Sequence, residues 1–299
     1  MRAGRLRALW DGLAPLTAPE RRIDVVGGVT LVILLLTTEA TWALQIGTQV
    51  LCAAALVDRR LLRSAVYWFA LLAVYVVGVS GVVTLIDNHE FLLGYWLLAL
   101  GLSRLQTDST AGLATSARLL IGLSFAFAAL WKGITPDYTG GTAFHAYLLF
   151  DPRFVGIVPA FTSLTSVEAA ANYKTYETLV AIADGAVSVP VADVPGVRWI
   201  ALGMTWWTLL IEAAVALVFL VPARSAMGRA RHVVLLVFLF TTYALAPVKG
   251  YGWLLVAMGL AGAPLDRHRA LLPAFALAFV LVTARSTAPV SRILEALGF

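Results

Sequence analysis

Lys132, Lys174 and Lys249 are the three lysines among 22 basic residues; the rest are arginines. The distinction is chemical, because arginine keeps its charge whereas a desolvated lysine can lose its proton and act as a base or nucleophile. Lys132 follows the apolar run Leu113 to Trp131, and Ser124, Ala128 and Ala129 lie on or near its own helical face. Small residues on that face mean close helix packing or a cavity wall. Two roles fit Lys132: an interface anchor that snorkels beside Trp131, or a proton-transfer group.

A second polar group is Asp87-Asn88-His89-Glu90, between two apolar runs. It reads either as a solvated turn or as a place where His89, with Asn88 beside it, exchanges protons or donates hydrogen bonds near neutral pH. The third is Glu212, near the middle of an apolar run between Arg198 and Pro222, with Thr205 and Thr208 on the same helical face. An ionisable group at that depth is costly and faces a cavity or a partner. Its alternatives are a protonated acid bonded to a neighbouring helix and a functional carboxylate. Glu39 falls at the tip of an expected hairpin, where solvation accounts for it.

Other chemistries find no support. His89, His145, His232 and His268 show no HExxH or HxxxH spacing, so no metal is predicted. Neither GxGxxG nor GxxxxGK[ST] occurs, and the single cysteine, Cys52, provides no redox pair or thiolate cluster.

The elements that must carry these residues follow from composition. Of 299 residues, 60% are hydrophobic and 13% charged, whereas a soluble domain is about 25% charged. That is too little charge for a water-facing surface, which excludes a soluble enzyme, a disordered chain and a fibre. The expected class is all-α: a polytopic integral membrane helical bundle of about nine spans, with the lipid bilayer as its first partner.

The stretch Val25 to Val57 reads as a hairpin of two short spans turning near Thr37 to Trp42. Further spans are expected at 65–86, 91–103, 113–131, 199–222, 233–248, 252–265 and 270–289. On this trace fifteen basic residues fall on the side of the N-terminus and seven on the other, among them all three lysines. The bias places the N-terminus in the cytoplasm and the lysines on the extracytoplasmic face. Scattering of the +5 net charge beside apolar segments argues against a nucleic-acid partner.

The expected organisation is a cytoplasmic segment 1–24, a transmembrane domain 25–289 and a tail 290–299. Within the transmembrane domain, the acidic connection 133–197 is too long for a mere connector. It reads as a small outer cap with a helix over Ser166 to Ile182.

In their order, these residues resemble the vitamin K-dependent γ-carboxylases and their bacterial relatives, the horizontally transferred transmembrane (HTTM) domain proteins. The likeness rests on Asp87-Asn88-His89-Glu90-Phe91-Leu92, Ala128-Ala129-Leu130-Trp131-Lys132, Gly140-Gly141-Thr142-Ala143, Leu209-Leu210-Ile211-Glu212 and Arg231-His232, over about residues 20 to 285. It implies a protein of the bacterial plasma membrane in which Lys132 deprotonates vitamin K hydroquinone or a related quinol. His89 would assist, and Asn88, Thr208 and Glu212 would line the cofactor site. In the family, oxygen turns the quinol into a strong base and finally an epoxide, and carbon dioxide adds to a peptide glutamate. The family's tryptophan after the lysine is missing from Gly133-Ile134-Thr135-Pro136-Asp137-Tyr138. Some relatives mature or export peptides, so the neighbouring expectation is a non-catalytic protein that handles a peptide or a lipid-soluble small molecule. A third expectation is proton-coupled transport through Glu212.

Overall fold

The computed structural model describes residues 18–37, 42–80, 87–181, 190–246 and 248–287. Among them every regular element is helical. In chain order they are α1 (Pro19–Thr37), α2 (Trp42–Val57), α3 (Ala65–Ser80), α4 (Asn88–Ser103), α5 (Ser109–Ile134), α6 (Pro136–Thr139) and α7 (Thr142–Phe150). Then come α8 (Val158–Phe161), α9 (Ser166–Ala181), α10 (Pro195–Leu220), α11 (Ala226–Arg229), α12 (Arg231–Leu245), α13 (Lys249–Gly262) and α14 (Leu271–Thr287). Glu39 with its hairpin tip and the tail 290–299 lie outside the described residues.

Helices α5 and α10, at 26 residues each, are long and apolar enough to cross a membrane. Each is about 39 Å long against a hydrocarbon core of about 30 Å. Only 28% of the most apolar window of α5 is buried, whereas the core helix of a soluble protein is mostly buried. Phe127, Leu130 and Trp131 on α5 and Trp206 and Leu210 on α10 stand exposed, an apolar surface suited to lipid. The other apolar helices are shorter.

Both long helices start earlier than their apolar runs. Asp108 accepts the Ala111 N–H at 2.9 Å and so caps α5 five residues before Leu113. Pro195, pre-set for a first helical position, opens α10 before Trp199. Hydropathy marks what lipid tolerates, whereas capping marks where the helix begins.

The described residues fall into two compact units, one from within 1–123, 218–236 and 249–280, the other from within 124–217, 237–248 and 281–299. In the first, α1 packs on α13 and α2, and α4 packs on α3 and α13. Helix α13 is buried along nearly its whole length, which its uniformly apolar, glycine-rich sequence permits. Trp96 donates to Thr30 Oγ1 at 3.0 Å and Thr30 donates on to the Val26 carbonyl, so both buried polar groups are satisfied.

The second unit has its own apolar core, from Phe144, Leu148 and Leu149 of α7 through Phe154, Val158, Leu164 and Ala169 to Val197 and Ala201 of α10. The loop before α10 is tied down by Asn172, whose amide donates to the Ala192 carbonyl at 2.7 Å and accepts from its N–H at 2.9 Å. The expected helix over Ser166 to Ile182 is observed as α9, opened by a reciprocal cap between Thr165 and Glu168.

Candidate functional site

Lys132 sits in the last turn of α5, where the exposed carbonyls of a helix C-terminus favour a cation. Its ammonium lies 2.5 Å from Glu212 Oε1 on α10, inside the second unit. The pair is secluded: the Lys132 side chain is 20% exposed and that of Glu212 8%. Trp131, the residue before it on the helix, is exposed instead. Lys132 therefore turns towards Glu212 rather than snorkelling beside Trp131.

Glu212 extends a polar seam on α10. Thr208 and Thr205, one and two turns before it, are buried with it. The second carboxylate oxygen, Oε2, and Thr205 Oγ1 are buried without a hydrogen-bond partner. Orphaned polar atoms at that depth are costly and need a reason, such as a bound molecule that supplies the missing partner.

A tyrosine pair flanks the lysine. The Tyr138 ring lies 5.9 Å from the ammonium, within cation–π range. The Tyr138 hydroxyl meets the Tyr147 hydroxyl at 3.3 Å, and Phe144 packs edge-on against both rings. Burial first, and the contact with Tyr147 second, hold the Tyr138 phenol protonated well above its ordinary range. It can therefore donate or relay a hydrogen bond without becoming a second anion beside Glu212. This tyrosine pair was not singled out by spacing, because the chain reverses between the two residues at Gly141, whose φ of 80° is left-handed.

His89 and Asn88 belong to the first unit, whereas Lys132, Thr208 and Glu212 belong to the second. His89 lies against Gly250, where an added Cβ would come within 2.3 Å of the imidazole. Its Nδ1 is 3.8 Å from Asp87 Oδ2. The rest of the polar quartet is a helix start: the Asp87 N–H donates to Glu90 Oε2 at 3.2 Å and Asn88 is the exposed first residue of α4. The turn reading thus accounts for Asp87, Asn88 and Glu90, and His89 is a packed residue at the end of that turn.

Among the described residues no group of three or more His, Cys, Asp or Glu side chains converges as a metal site. His145 pairs with Asp193 at 3.2 Å instead. No protein-family model, curated protein or solved structure matches the chain.

A buried lysine–carboxylate pair can do three things. It can bind as a neutral unit, pass a proton from nitrogen to oxygen, or open so that the amine meets a new acid. Only the last two are catalytic, and both need a substrate whose proton is removed near Lys132.

Proposed function

We propose that the chain is a polytopic membrane protein of about nine spans with a cytoplasmic N-terminus. In it, Lys132 and Glu212 form the proton-transfer pair for a lipid-soluble acidic substrate of the quinol class. The single observation that carries this reading is the secluded Lys132–Glu212 pair with a carboxylate oxygen left over. In this account Lys132 is the base and Glu212 holds it in place and accepts its proton. The free Oε2 and Thr205, with the neighbouring Thr208, present hydrogen-bonding atoms to a ligand hydroxyl, so the residues present fit a quinol. A quinol of the vitamin K type would supply a weakly acidic hydroxyl and reactivity towards oxygen. The resemblance to the γ-carboxylase and HTTM proteins supports the same assignment, and peptide carboxylation is its further step.

The test is epoxidation of vitamin K hydroquinone under oxygen by the purified protein, compared with Lys132→Ala and Glu212→Gln. Native epoxide formation that falls at least a hundredfold in both folded variants supports the reading. Epoxide formed equally by Lys132→Ala overturns it.

A second reading, a non-catalytic protein that handles a peptide, is favoured by the separate core between α6 and α10. It predicts that Asn172→Ala, which frees the Ala192 loop, impairs peptide maturation or export more than Lys132→Ala does.

A further inference from the structure

We propose that the first unit carries a binding site for a phosphate-type anion, built by Arg22, Arg118, Arg231 and His232. The four residues come from α1, α5 and the start of α12. Two of the guanidinium groups are held by backbone carbonyls: Arg118 donates to Phe219 O at 3.2 Å and Arg231 to Gly228 O at 2.6 Å. Each spends one N–H on its own fold and has others to offer a ligand. Arg22 has an inward Nε with no partner. Its one carboxylate neighbour, Asp266, lies at 3.7 Å, beyond hydrogen-bonding distance, and is half exposed.

His232 closes the cluster. It is 5% exposed, stands between the Phe219 and Phe275 rings, and has an unpartnered Nδ1. Gly262 lies beside the ring, and its backbone hydrogen-bonds the imidazole. Arg118 holds the carbonyl of Phe219, whose ring packs on His232, Arg231 precedes His232 in the chain, and Arg22 acts electrostatically on the imidazole. Three guanidinium groups are thus gathered near one distant carboxylate, with the imidazole of His232 beside them. Like charges partly withdrawn from water repel one another unless an anion sits among them.

The geometry favours phosphate over a simple carboxylate. Pre-oriented arginine forks match the tetrahedral oxygens of phosphate, and Arg231 and His232 open α12, a 15-residue helix whose N-terminus favours negative charge. The ligand is a phosphate group, presented either by an anionic phospholipid headgroup or in free form. This inference is independent of the chemistry proposed for Lys132.

The experiment titrates the purified full chain with inorganic phosphate and, separately, compares nanodiscs of phosphatidylcholine with nanodiscs containing phosphatidylglycerol. Bound lipid is read by native mass spectrometry and affinity by thermal shift. Saturable binding is expected, at least tenfold weaker in Arg22→Gln and unchanged in Arg198→Gln, an exposed arginine of the other unit. Arg22→Lys keeps the charge but loses the fork, and should bind at least threefold more weakly than the native chain. Binding to phosphatidylglycerol alone identifies a headgroup, and binding to inorganic phosphate as well identifies a free-phosphate site. Absence of saturable binding to either, equal weakening in Arg22→Gln and Arg198→Gln, or native affinity in a folded Arg22→Lys protein would overturn the proposal.

Discussion

Lys132 and Glu212, 80 residues apart in the chain, meet inside one unit with Nζ 2.5 Å from Oε1, and the opposite carboxylate oxygen has no partner. A purely structural ion pair in a buried setting gains by satisfying all its polar atoms. This one leaves an acceptor open on the seam that carries Thr205 and Thr208. The arrangement has the features of a site waiting for a donor as well as those of a brace between α5 and α10.

The brace and the site can be separated by measuring stability. Lys132→Met leaves a buried carboxylate unpaired and should cost about 3–5 kcal/mol. Adding Glu212→Leu removes that carboxylate and should restore most of the loss. Thermal unfolding of the two single variants and the double variant measures the coupling. Simple additivity of the single losses would mean that the two side chains do not depend on each other.

Tyr138 contributes its ring to Lys132 and its hydroxyl to Tyr147. Tyr138→Phe keeps the ring and should cost less than about 1 kcal/mol, one hydrogen bond between partly exposed groups. Tyr138→Leu removes both and should cost about 1–2 kcal/mol more through the lost aromatic and cation–π contacts. Equal melting temperatures for the two variants would show that the ring does not support the lysine.

His89 and Gly250 test the packing reading of the histidine. Gly250→Ala drives a methyl group into the imidazole and should destabilise the protein by about 1–3 kcal/mol. Trimming the histidine in His89→Ala/Gly250→Ala should relieve that strain. If the double variant is as unstable as the sum of the singles, the two residues are not in contact.

Glu168 gives α9 an acid-sensitive start. The Thr165 backbone N–H first, and its hydroxyl second, hold the Glu168 carboxylate below its usual range. A folded value below the unfolded one stabilises the fold above the unfolded pKa, and the gain is lost as pH falls through the folded value. Thr165→Ala leaves the backbone bond but removes the hydroxyl, and should raise the Glu168 pKa, as read by carboxyl NMR titration. An unchanged titration would show that the hydroxyl does not hold the carboxylate.

The helical class was legible because 60% hydrophobic residues and sparse charge leave few alternatives. Glu212, Thr205 and Thr208 were legible as one face because helical spacing is local. The partner of Glu212 was not, because nothing in a sequence states which two helices 80 residues apart face each other. Lys132, on its residues alone, read as an interface anchor, and only its pairing with Glu212, away from the exposed Trp131, shows otherwise. His89 shared a short polar stretch with Asp87 and Glu90, yet those two serve helix capping, which the same residue types do in any turn. The arginine cluster of the first unit looked like ordinary charge flanking apolar segments. Its convergence from three helices appears only in three dimensions.

The most direct measurement is quinol epoxidation by Lys132→Arg. Arginine keeps the positive charge and can keep the ion pair with Glu212, but it does not give up its proton at working pH. If Lys132 is the base, the folded variant retains native stability within about 1 kcal/mol and loses at least a hundredfold in epoxide formation, or about 2.7 kcal/mol of barrier. Native-like epoxide formation by Lys132→Arg would contradict the account, leaving the Lys132–Glu212 pair as a brace alone.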